Sequence, residues 1–124
     1  MLDTTYGISM GKEREVVWLK AEIKTPPFSP DARITAGFLL RKLQQGENLS
    51  LPESRPMPIV GGKCHELRIH DDDASCEWRI IYRIDDDSIV IANVFKKKTQ
   101  KTPQNEILLS QYRLKTYDEI LGGS

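Results

Sequence analysis

The alternation of apolar and polar positions is sharpest in the second half of the chain. From Cys64 to His70, Leu67 and Ile69 fall on one side of an extended strand, with Glu66 and Arg68 on the other. From Glu77 to Ile84 the pattern returns. Trp78, Ile80, Tyr82 and Ile84 share one face; Arg79, Ile81 and Arg83 share the other. Ile89 to Phe95 is almost wholly apolar, which predicts a central strand covered on both faces. Asp71-Asp72-Asp73 and Asp85-Asp86-Asp87-Ser88 separate these runs as tight turns, so the three strands form an antiparallel meander.

The first half is mixed. Glu15 to Leu19 is a short β-branched and aromatic run and predicts a strand. Thr25-Pro26-Pro27 opens a loop, and Ser29, Pro30 and Asp31 then supply an N-cap, a first helical residue and a first-turn acid. Ile34, Phe38, Leu39 and Leu43 recur at helical spacing as the expected apolar face, and Gly46 marks the end. Leu51 to Gly62 reads as loop. Thr102 and Pro103 are the expected cap and first turn of a last helix. Ile107, Leu114 and Leu121 repeat every seven residues there, with Leu108, Tyr117 and Ile120 nearby, before Gly122-Gly123. The expected fold is α+β: a twisted antiparallel sheet, the N-terminal strand plus the meander, with helices packed on one face. Residues 1–14 are expected to be a flexible tail and residues 15–121 a single domain.

A chain of 124 residues suits one domain, and 39% hydrophobic with 29% charged residues is enough for a core without staples. No apolar run approaches the roughly 20 residues of a membrane span. Met1 to Thr5 shows no basic region followed by an apolar stretch, so a cytoplasmic protein is expected. Cys64 and Cys76 lie too far apart along the expected hairpin to bridge, and free thiols suit a reducing compartment. Cys64, His65, His70 and Cys76 lack zinc-ligand spacing, so neither a metal nor another cofactor is expected. Net charge is zero, whereas nucleic-acid binders usually carry a basic excess. The distribution is uneven. Residues 95 to 115 hold Lys96, Lys97, Lys98, Lys101, Arg113 and Lys115 against Glu106, while the meander turns are acidic.

No phosphate-binding glycine loop, metalloprotease helix, nucleophile elbow or Ser/His/Asp set is present. What remains is a basic group. Arg68 and Arg79 project from neighbouring strands, and Lys96 to Lys98 leave the third strand beside them. Guanidinium forks hold phosphate oxygens in pairs, and nearby ammonium groups steer RNA and offset developing charge. Against this stands the plainer reading, that Arg68 beside Glu66 and Arg79 beside Glu77 are ordinary surface charges with partners. Tyr82, Trp78 and Trp18 fit core packing better than chemistry. His65 and His70 suit proton transfer by type, yet with no partner in view each reads first as a half-exposed strand residue.

Five segments together resemble the RelE/ParE toxin superfamily, in its HigB-like, phage-related branch. They are Trp18-Leu19, Thr25 to Ser29, Cys64-His65-Glu66-Leu67-Arg68, Trp78-Arg79-Ile80-Ile81-Tyr82-Arg83 and Phe95 to Pro103. The resemblance runs from about Glu15 to Asp118. It implies a RelE-like fold and a type II toxin that cleaves mRNA on the ribosome without metal, by attack of a ribose 2′-hydroxyl on the adjacent phosphate. Arg79 matches the arginine at the scissile phosphate, and Lys97 the second stabilising cation. Arg68 matches a basic strand residue of the RNA groove; Lys96, Lys98, Lys101 and Arg83 would bind RNA. Cys64 and Glu66 stand where such enzymes have lysines, and Pro103 where they have a tyrosine, which leaves the general base unassigned. Glu66 is one candidate; His65, on the opposite face, is a weaker one. The implied partner is a helix-turn-helix, HigA-like antitoxin, in a dimer or a heterotetramer. The alternative is a non-catalytic module, either a gyrase-poisoning ParE-like toxin or an inactive phage-derived accessory protein.

Overall fold

A computed structural model gives the structure over residues 13–97 and 101–123. Among the described residues, five strands and two α-helices follow one another as β1 (Glu15–Trp18), α1 (Pro30–Gln44), β2 (Ser54–Pro56), β3 (Cys64–Asp71), β4 (Cys76–Ile84), β5 (Ser88–Lys97) and α2 (Gln104–Asp118). The α+β class and the meander β3-β4-β5 are as expected. The sheet order is β1-β5-β4-β3-β2, and the sheet is mixed rather than antiparallel, because β1 runs parallel to β5. The crossover through α1 allows this: a helix returns the chain to the same end of the sheet. The proline-rich stretch read as loop contributes β2, a three-residue edge strand on β3. Pro56 at its end suits an edge position, where no ladder donor is needed.

The helices do not share one face. Ala32, Ala36, Leu39, Leu40 and Leu43 of α1 pack on Leu67, Ile69, Trp78, Ile80, Tyr82, Ile89 and Ile91. Ile107 and Leu114 of α2 pack on Cys64, Ile81, Val90, Ala92 and Phe95 across the sheet. Strands apolar on both sides require cover on both sides, which the near-continuous β5 already implied.

The buried stripe of α1 also differs from the expected one. Its inner face includes two alanines, which let the helix approach the sheet closely. Ile34 and Phe38 lie outside, 71% and 60% exposed. Ser29 caps α1 as expected, its side chain accepting from the Ala32 amide. In α2 the N-cap is Pro103, with no side-chain cap bond; the Thr102 hydroxyl is engaged elsewhere. Leu121 does not continue the seven-residue repeat, because α2 gives way at Glu119 to a wider turn with Gly122 at φ 81°. Of the expected tail, residues 1–12 lie outside the described residues. Glu13 pairs with Arg41 at 2.7 Å, and the Arg14 amide donates to the Gln44 carbonyl at 2.9 Å, so these two are tied to α1.

One irregularity positions the site. Tyr82 pairs with Ile91 and Ile81 with Asn93, so Ala92 is an extra residue, a bulge in β5. Ile89 and Ile91 face α1 before it. After it, Val94 faces α1 while Phe95 turns to the α2 face.

Candidate functional site

The cross-strand register lines up side chains in rows on the α2 face. One row is His70, Glu77 and Lys97; the next is Arg68, Arg79 and Phe95; a third is Arg55, Glu66, Ile81 and Asn93. The body of α2 covers the third row, where Asn93 Nδ2 donates to Glu106 Oε1 at 2.8 Å. The first two rows extend past its start. They floor an open hollow of about 1230 Å³, lined by Arg68, His70, Glu77, Arg79 and Lys97 together with Glu53 and the β3–β4 turn.

Glu66 sits beneath this hollow and is fully buried. Its Oε1 accepts from Arg55 Nε at 3.0 Å and lies 3.4 Å from Arg79 Nε; its Oε2 accepts from the Thr102 hydroxyl at 2.6 Å. Arg55 Nη2 in turn donates to Thr102 Oγ1 at 3.2 Å. One carboxylate thus joins β2, β3, β4 and the segment leading into α2. Both its oxygens are occupied, so it anchors cations rather than facing the hollow as a free base.

Arg79 is 3% exposed. Its Nη2 lies 2.7 Å from Glu77 Oε1, and that bond holds the Glu77 carboxyl below its ordinary range. Lys97 is different. Its ammonium is shut off from solvent and has no hydrogen-bond partner among the described residues. Burial lowers its pKa; Glu66 opposes the shift, and Arg79, Arg55 and Arg68 add to it. The Arg68 Nε is likewise buried without a partner. Donors short of acceptors, at the floor of an open hollow, suit an anion with several oxygens.

Arg68, Arg79 and Lys97 are therefore brought together, with Glu66 behind them. The other expected RNA contacts are not all gathered there. Lys96 borders the hollow, but its ammonium lies 5.4 Å from the Trp78 ring centre, on the α1 face. Arg83 is at the far end of the sheet and is held by Asp85 (2.8 Å) and Asp118 (2.8 Å), which fasten β4 to the end of α2. Two carboxylates seal it, so its guanidinium serves the fold. Lys101 is exposed just before α2, and Lys98 falls outside the described residues.

Two members, Arg55 and Thr102, were missed by sequence reasoning, and a third, His70, was named there by residue type but given no place in the site. Arg55 was hidden in a segment read as loop. Thr102 was read as a helix cap, and nothing local distinguishes a cap threonine from one that reaches a distant carboxylate. His70 was visible: two residues beyond Arg68, it follows the same alternation into the hollow. Cys64 and Cys76 are both free, at opposite ends of the β3–β4 hairpin, facing Arg83 and Asp71. Among the described residues, no group of three His, Cys, Asp or Glu side chains could hold a metal, and no helix is long and apolar enough to cross a membrane.

A family model described as "Phage derived protein Gp49-like (DUF891)" matches residues 26–115. No curated protein matches the chain. The matched span contains α1, the whole β2-to-β5 part of the sheet and most of α2, and with them every residue of the hollow. The chain thus belongs to the phage-derived Gp49-like family, a RelE-like family associated with the toxins of toxin–antitoxin systems.

Proposed function

We propose that this protein is a HigB-like toxin that cleaves mRNA on the ribosome and is neutralised by a helix-turn-helix, HigA-like antitoxin. The observation that carries the proposal is the Lys97 ammonium, buried without a partner beside Arg79 and Arg68 at the floor of an open hollow. A scissile phosphate placed there receives a guanidinium fork and an ammonium. Both act where negative charge builds as the 2′-oxygen attacks phosphorus and the 5′-oxygen departs. In this reading Glu66 is a positioning residue: it fixes Arg79 from behind and secures Thr102, and so the end of the basic segment. Lys101 and Lys98 extend the electrostatic path for the RNA strand.

A non-catalytic binding module is the second reading. The Arg79 ion pairs with Glu77 and Glu66 favour it, because they spend part of the positive charge within the protein. Inducible expression, with and without the adjacent gene, followed by mapping of mRNA 5′ ends separates the two. The nuclease reading expects growth arrest with new 5′ ends, relief by the neighbouring helix-turn-helix protein, and loss of both effects in Arg79→Ala and Lys97→Ala. Arrest with intact mRNA selects the second reading, and undiminished cleavage in the double variant removes the site assignment.

A further inference from the structure

We infer that His70, oriented by Asp72, is the group that takes the proton from the attacking 2′-hydroxyl; this rests on the nuclease reading above. His70 ends the first row of the hollow, with Glu77 and Lys97 beside it on the next two strands. Two strand spacings separate His70 from Lys97, about 10 Å, room for one phosphate and its ribose between them. Its Nε2 lies 2.7 Å from Asp72 Oδ1, in the tight turn. That bond selects the tautomer with the proton on Nε2 and leaves the Nδ1 lone pair uncommitted. Nδ1 lies 3.9 Å from Glu77 Oε2, too far for a hydrogen bond and near enough to stabilise an imidazolium once it forms. Glu77 cannot swing fully onto the ring, because Arg79 holds its other oxygen at 2.7 Å. The imidazole is therefore steered on one side and open on the other, and its side chain is 67% exposed, so substrate can reach it.

The step balances without a metal or redox partner. Nδ1 accepts the 2′-hydroxyl proton, O2′ forms a bond to the adjacent phosphorus, and the bond from phosphorus to O5′ breaks. The departing O5′ takes a proton from water. The products are a 2′,3′-cyclic phosphate and a 5′-hydroxyl. Lys97, Arg79 and Arg68 line the same space as the ring, as do the carboxylates of Glu77 and Glu53, with Asp72 bonded to its Nε2.

The test is single-turnover cleavage of mRNA on programmed ribosomes by the full chain. The expected result for His70→Gln is a rate lower by about 10²–10⁴-fold with KM little changed, the usual range for a lost general base. Imidazole added to His70→Ala restores part of the rate. Asp72→Asn lowers the rate less than His70→Gln does, with KM little changed, because the ring keeps its lone pair but loses its orienting carboxylate. Melting temperature and circular dichroism are unchanged, as expected for exposed side chains. If His70→Gln cleaves like the parent while Arg79→Ala is dead, the histidine assignment is overturned and the nuclease reading stands. A parent protein that leaves ribosome-bound mRNA intact overturns both.

Discussion

A lysine whose ammonium is closed off from water and from every described acceptor is a cost to the folded state. Lys97 is such a residue, and its lowered pKa gives the sign: the folded protein binds this proton less tightly than the unfolded chain does, so near neutral pH the charge opposes folding. Lys97→Met should therefore raise the melting temperature by about 2–5 °C, the shift expected of roughly 1 kcal/mol in a chain of this size. The same variant should abolish mRNA cleavage on induction. A drop in melting temperature would mean that Lys97 has a structural partner. Glu66 behaves in the opposite way. Its carboxylate is fully buried with three neighbours, so removing the charge leaves Arg55, Arg79 and Thr102 short of an acceptor. What could be read of these residues in advance was their type and their face. Their partners could not be read, because Arg55 and Thr102 lie far from Glu66 in sequence.

At the level of elements, the meander was legible because β3 and β4 alternate strictly and aspartate runs punctuate them. The two-sided cover was legible only in part. The apolar β5 demanded it, but the helix faces had to be chosen by spacing. In α1 the larger side chains misled: Ile34 and Phe38 are exposed, while Ala32 and Ala36 lie at the interface. Small residues give a weak hydrophobic signal and yet permit the closest packing. This yields a direct contrast. Leu43→Ala should cost about 2–5 kcal/mol through transfer and cavity terms, whereas Phe38→Ser should stay within about 0.5 kcal/mol. Urea denaturation of the two variants checks it, and a large loss in Phe38→Ser would place the core stripe wrongly. β2 escaped detection because three residues flanked by prolines carry no measurable period.

For the molecule as a whole, the zero net charge conceals a partition: cations collect on the α2 face of the sheet, and acids at the two ends of the meander. One of those acids also joins three parts of the fold. Asp71 accepts from the Ser29 amide at the start of α1 (3.0 Å), from Ala74 in the turn (3.1 Å) and from the Trp78 indole (2.9 Å). These bonds, the Ser29 amide first, hold its carboxyl far below the ordinary value of 3.8. The depressed folded value means that the stabilisation is fully present above about pH 4 and is lost as pH falls toward the folded pKa. Urea midpoints of the parent should drop between pH 5 and pH 2.5 more steeply than those of Asp71→Asn, which begins lower and has no proton to gain there. Equal slopes would assign the acid sensitivity to other carboxylates.

The bulge at Ala92 has a consequence for how this gene can change. Along a regular strand, odd and even positions serve different layers, and one extra residue exchanges their parity. Phe95 faces the α2 core and Lys97 reaches the hollow only because Ala92 has reset the count begun at Ile89. Loss of that single codon would hand the place of Lys97 to its neighbour while retaining every basic residue. A copy of this protein could thus be disarmed, or rearmed, by a three-base event that no inventory of its lysines and arginines would notice.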